Sequence, residues 1–250
     1  MHEIYFLAKI LQILCIAKIS EMLNFRKNFG NYFCVKSFHY TFALEFLNEI
    51  MKDQILIKAT DMFLTLGFKS VTMDDIATEM GISKKTIYQH YKTKDDLVEA
   101  TTMHLFETIS CGIDAICATE QDPIEELFTI KDFVMKNLKD ENTSPIYQLQ
   151  KYYPKIHKSL YSRQFEKMGD CVIKNLEKGI TQGYFREEIN QELVARFYFS
   201  GMTSIKDAEL FNPIEYPSKL VQKTYLEYHL RGICTEKGIQ KLEELLKTNN

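Results

Sequence analysis

Proline and glycine are scarce in this chain, 5 and 10 among 250 residues, and they mark the ends of long stretches with a helical hydrophobic period. Alternating runs of β-branched residues are few. That pattern predicts an all-α fold. A hydrophobic share of 45% and an aromatic share of 12% are enough to fill real cores, and the length suits one large domain or a small one followed by a medium one.

The grammar is clearest from Met51 onward. A helix is predicted from Lys52 to Leu66, with Ile55, Ala59, Met62, Phe63 and Leu66 on one face, ended by Gly67 with Phe68 and Val71 as a plug beneath it. Thr72 is an N-cap with Asp75 in capping-box position, and the helix it opens runs to Met80 with Ile76, Ala77 and Met80 inward. Gly81 makes a turn, Ser83 caps a short helix ending at Tyr91, and a longer helix runs from Lys94 towards Ile116. Further helices are expected from Asp122-Pro123 to Lys139, after Asn142-Thr143-Ser144-Pro145, from Pro154 to Gln182, from Asn190 to Lys206, from Pro217 to Gly232 and from Lys237 to Lys247.

From Met80 through Lys94 there is no acidic side chain, although the whole chain carries a net charge of -3. A local cationic face on a short helix points to a phosphate backbone. Two helices joined by a tight turn over residues 72–91 make a compact helix-turn-helix whose second helix, Ser83–Tyr91, would enter a major groove. Ser83, Lys84, Lys85 and Thr86 have the donors and methyl groups that meet base edges. Tyr88, His90 and Lys94 suit phosphate, and Thr72 and Met73 would approach the backbone through amides at a helix N-terminus. Ile87 and Tyr91 belong to the small core. Taken alone, two lysines and two tyrosines on a helix favour a solvated face.

The order of the parts decides between these. G-F-x-x-V-T-M-D-D-I-A at Gly67–Ala77, M-G-I-S-K-K-T-I-Y-Q-H-Y at Met80–Tyr91 and K-x-x-L at Lys94–Leu97 closely resemble the DNA-binding domain of TetR/AcrR-type transcriptional regulators over about residues 49–109. Tyr91 stands where phenylalanine is more usual. The resemblance implies a small three-helix helix-turn-helix domain at 49–109 followed by a larger helical ligand-binding and dimerisation domain at 110–250. It also implies a homodimer on a palindromic double-stranded DNA operator, repression by default, and release by a small-molecule effector. In such regulators an effector shifts the fourth helix, here from Lys94 to about Ile116, and changes the spacing of the two recognition helices.

Aromatic and methionine residues in the middle helices are pocket candidates: Phe128, Phe133, Tyr147, Tyr152, Phe165, Met168 and Cys171, with His157 read as a surface or satisfied histidine. Core packing is the alternative for each. Stripes at Phe197, Tyr198 and Met202 and at Val221, Tyr225 and Tyr228 are the dimerisation candidates, as a four-helix bundle across a two-fold axis. With no charged pocket motif, a hydrophobic or amphipathic effector is expected.

Residues 1–48 differ in character. They read either as an extension upstream of a natural start near Met51 or as an accessory helix from Ile4 to Leu23. Lys9 and Lys18 leave only eight uncharged residues between them, far below the roughly 20 needed to span a bilayer, so a cytoplasmic protein without a membrane span is expected. The six cysteines form no CxxC and no zinc-ligand spacing, and no metal or cofactor is expected. No nucleophile elbow, P-loop or HExxH points to an enzyme. The alternative function is a degenerate family member acting as a non-DNA or membrane-tethered interaction protein through residues 1–50.

Overall fold

A computed structural model describes residues 32–139, 145–207, 209–212 and 214–248, with side chains from residue 47 onward. The accessory helix considered at Ile4–Leu23, the Asn142–Ser144 cap and Pro213 lie outside the described residues. Ten helices and no strands occur among the described residues: α1 Tyr32–Leu66, α2 Met73–Met80, α3 Lys84–His90, α4 Lys94–Cys117, α5 Pro123–Asn137, α6 Pro145–Tyr152, α7 Pro154–Thr181, α8 Gln191–Ser204, α9 Ser218–Ile233 and α10 Glu236–Thr248. The fold is all-α. The chain divides into two units, Met1–Met51 and Lys52–Asn250. The second unit holds the helix-turn-helix and every helix after it.

Two features of α1 differ from the sequence expectation. α1 begins at Tyr32, twenty residues before Lys52. No proline or glycine interrupts residues 31–66, so the backbone has no reason to stop there even without an amphipathic stripe. Within α1, Leu66 is exposed while Leu64 is buried. The last turn of α1 serves two neighbours, and Leu64 turns towards Leu138, Pro145 and Leu149 of the following domain.

The small domain has one core. Ile55, Ala59 and Phe63 from α1, Ile76 from α2, Ile87 from α3 and Leu97 and Val98 from α4 are fully buried, with Phe68 stacked on Phe63 at 5.1 Å. Burying such side chains contributes about 1.5–3 kcal/mol each. The larger domain packs α5, α7, α8, α9 and α10 around Phe128, Leu176, Phe185, Leu226, Leu230 and Leu242. α8 and α9 approach closely because Gly201 leaves room for the Tyr225 ring, whose hydroxyl donates to the Phe197 and Tyr198 carbonyls at 3.0 and 3.3 Å.

Between these helices His229 lies 4.8 Å from the Tyr198 ring, and burial lowers its pKa to about 4. The folded chain therefore keeps His229 neutral where the unfolded chain, with a histidine near pH 6.5, takes up a proton. Stability contributed this way is complete above pH 6.5 and is lost as pH falls towards 4, at about 1 kcal/mol per pH unit. Urea unfolding of wild type and His229→Gln between pH 7 and 5 should show a decline in wild type that the variant lacks.

Candidate nucleic-acid interface and interior cavity

The helix-turn-helix is fastened at each end by local chemistry. The Thr72 hydroxyl accepts from the Asp75 amide at 3.2 Å, while the Asp75 carboxylate accepts from the Thr72 amide at 2.8 Å. Those hydrogen bonds, the backbone one first and that of the Thr72 hydroxyl second, hold Asp75 below the usual carboxylate range. Gly81 ends α2 at φ +65°, a conformation that costs an L side chain about 1–2 kcal/mol. Ser83 then caps α3, accepting from the Thr86 amide at 3.1 Å, and Thr93 and Asp96 repeat the capping box at α4. The fully buried Ile87 pins α3 to the core, and the Tyr91 hydroxyl donates to the Lys52 carbonyl at 3.4 Å. α3 is thus held at both ends and along one side.

The residues singled out by sequence fall into four groups. Lys85 and Tyr88 are exposed on the side of α3 opposite Ile87. Ser83, Thr86 and Lys84 are already engaged: the two hydroxyls lie 2.9 Å apart, and the Lys84 ammonium donates to Asp74 at 2.6 Å. Met73 is buried, leaving only its backbone to face outward, and the Thr72 amide is taken by Asp75. His90 and Lys94 are half-buried. The Lys94 ammonium donates to the Lys69 carbonyl at 3.4 Å, and burial lowers its pKa. Sequence reasoning misses Gln89, which is exposed and shares the face of Lys85 and Tyr88 at i+4 and i+1. Its distance from Ile87 along the 3.6-residue period is the available signal. A glutamine there has the paired donor and acceptor that match an adenine edge.

The larger domain has a partly open cavity of about 750 Å³ bounded by α4 to α9, within the range of small-molecule sites. Phe106, Ile109 and Ile113 of α4, Leu127 and Val134 of α5 and Val172 of α7 supply its apolar wall. Of the pocket candidates, Tyr147, Met168 and Cys171 line it. The other four lie elsewhere. Phe128 is in the core beneath the Lys131 ammonium, and the Phe133 ring fills the space above Gly112. Tyr152 is exposed under the Lys69 ammonium at 4.9 Å, and Phe165 packs edge-on against Phe199 at 5.1 Å. His157 also lines the cavity, and burial lowers its pKa.

Sequence reasoning also misses the polar wall. Glu126, Asn175 and Gln222 are buried and line the cavity. Glu126 accepts from Asn175 and from the Lys178 ammonium, each at 2.8 Å. Charged and amide residues on amphipathic helices read as solvent-facing, so no local signal marks them. Behind Cys171, burial first and the neighbouring Glu126 charge second push the Cys117 thiol up to about 11.

α6 has two working faces. Ile146, Tyr147 and Gln150 line the cavity. On the other face Gln148 sits against Gly67, which leaves α1 at φ +89° with no room for a Cβ, and accepts from the Lys69 amide at 3.3 Å. Phe68 meets Tyr153 edge-on at 6.3 Å, and Lys139 reaches back to Asp61 and Thr65 of α1.

Residues 55–101 match the model for bacterial regulatory proteins of the tetR family. Over those residues the chain carries a tetR-family domain. The transcriptional repressor KstR2 of Mycolicibacterium smegmatis is 24% identical over 195 residues, covering 75% of this chain and 92% of its own length. The activator FasR of the same species is 30% identical over 76 residues, 30% of this chain and 35% of that one. SmeT, the repressor of the Stenotrophomonas maltophilia efflux pump SmeDEF, has a TM-score of 0.57 at 16% identity over 74% of this chain and 91% of that chain. A second SmeT structure, a complex with triclosan, gives 0.54 at 15% identity over 75% and 93%. These solved structures share the TetR-family fold.

The two stripes considered for TetR-type dimerisation divide in the structure. Phe197 and Tyr228 are exposed, as are Leu193 and Leu220 beside them. Tyr198 and Met202 line the cavity, Val221 is buried and Tyr225 is half-buried against α8. Adjacent helical residues diverge by 100°, and here Phe197 turns to solvent while Tyr198 turns inward.

The Lys84–Asp74 pair makes a prediction about this interface. Asp74→Asn frees the ammonium, which should raise affinity for any DNA several-fold at low salt and steepen the salt slope by about one. Adding Lys84→Ala should cancel the gain. Fluorescence anisotropy across a salt series reads both effects.

Proposed function

We propose that this TetR-family regulator is a dimeric repressor that binds a palindromic operator through α3 and is released when a small, largely apolar molecule fills the cavity. The observation that carries this reading is the double role of α6, which forms part of the cavity wall and also abuts the end of α1 at Gly67–Lys69. α4 is the second link, since it begins beside α3 and continues into the cavity wall through Phe106 and Ile109. A ligand that repositions either helix changes the separation of the two recognition helices, which must sit about 34–36 Å apart to enter successive major grooves. Coupling of about 1–3 kcal/mol between the two sites would suffice for 5- to 150-fold release.

Lys85, Tyr88 and Gln89 are assigned to the groove, with Lys84 joining once it leaves Asp74. His90 and Lys94, with the amides at the start of α2, are assigned to phosphate. Leu193, Phe197, Leu220 and Tyr228 are assigned to the two-fold interface. Repression is carried over from KstR2 and SmeT, and binding of an apolar molecule from the triclosan complex of SmeT.

The test is a footprint of the full chain on the DNA upstream of its own reading frame. A protected two-fold symmetric site with half-sites a helical turn or more apart is expected. Gln89→Ala should alter base preference within each half-site, and Lys94→Ala should weaken all sequences alike. Asymmetric protection by a single copy would overturn the dimeric reading.

A further inference from the structure

One side chain in the cavity wall restricts what can bind there. Asn175 of α7 is 3% exposed, and its carboxamide nitrogen donates to the Pro123 carbonyl at 3.0 Å and to Glu126 Oε1 at 2.8 Å. Both partners accept hydrogen bonds and cannot donate in these roles, a proline carbonyl and a carboxylate paired with Lys178. The amide therefore has only one orientation that satisfies its neighbours, and both N–H groups are used. The carbonyl oxygen, Oδ1, accepts no hydrogen bond among the described residues, and Asn175 lines the cavity. Tyr198, also buried in the wall, makes no hydrogen bond through its hydroxyl among the described residues, and Gln222 beside it donates from Nε2 to Ser218 Oγ at 3.1 Å.

An acceptor that a bound molecule cuts off from water needs a donor from that molecule, since a buried acceptor left unpaired costs about 1–3 kcal/mol. The charge of Glu126 is already matched by Lys178, so this end of the cavity has no net negative charge left for a cation. It also repels a carboxylate, which would meet the Glu126 oxygens and Asn175 Oδ1 with no hydrogen to share. Of the lysines elsewhere in the lining, Lys167 is paired with Asp114 at 2.6 Å and Lys131 with Asp132 at 2.9 Å, while Lys151 donates to the neutral Tyr147 hydroxyl at 3.2 Å and keeps its charge. Asp207 and Glu209 line the same cavity beside Lys206.

We infer that the cavity selects a neutral, largely apolar molecule carrying a hydroxyl, which donates its hydrogen to Asn175 Oδ1. The inference rests on the reading of the cavity as the effector site and adds the chemical class of the effector.

Titration calorimetry of the full chain with 1-decanol, decyl methyl ether and sodium decanoate separates the possibilities. One decanol per chain is expected, bound about tenfold or more tighter than the ether, which has the same oxygen without its hydrogen. Decanoate should bind more weakly than decanol. Asn175→Leu should bring the alcohol-to-ether ratio close to one. Since that change also strips a donor from Glu126 and can disturb folding, the wild-type ratio is the primary readout and needs no variant. Equal binding of alcohol and ether, or tighter binding of decanoate, overturns the inference while leaving the effector-site reading intact. No binding of any probe, with no release of operator DNA, overturns both.

Discussion

Gly67 stands where the two halves of this regulator's working unit meet. α1 ends there in a left-handed turn, and the Gln148 amide occupies the space a side chain would need. Glycine takes this backbone without strain, and a Cβ there would have to displace the Gln148 amide. Around it, Phe68 is shared between the stack with Phe63 in the small core and the edge contact with Tyr153 at the start of α7. The small domain is thereby seated on α6, and α6 in turn closes one side of the cavity. Close packing of this kind has few intermediate arrangements, which is the property a relay between two sites requires.

Much of the helix-turn-helix was legible in the sequence because its determinants are local. Thr72 with Asp75, Gly81, Ser83 and the buried Ile87 each act within four residues, and the structure places them in the roles their types and spacing indicate. The start of α1 was less so. Residues 32–51 have no helix-breaking residue but also no stripe, so periodicity alone could not extend the helix.

The cavity was the least legible part. Tyr147, Met168 and Cys171 reach it, whereas Phe128 and Phe133 are turned into packing by neighbours distant in sequence, Phe133 by Gly112. Glu126, Asn175 and Lys178 could not be found by pattern, because each takes its meaning from a partner about fifty residues away. The same limit explains Leu64 and Leu66, whose exposures depend on residues more than seventy positions further along, Leu138, Pro145 and Leu149. Aromatic content indicates that a core exists. It does not indicate which side of the core was left empty.

The residues that hold α3 in place and those it presents are separate sets. Ile87, Tyr91 and the caps at Ser83 and Thr93 face inward or along the backbone, while Lys85, Tyr88 and Gln89 contribute nothing to the core. Substitutions on the outer face should therefore cost the fold only a few tenths of a kcal/mol. A regulator built this way can acquire a new target sequence by ordinary mutational drift, retaining its architecture while its place in the regulatory network changes.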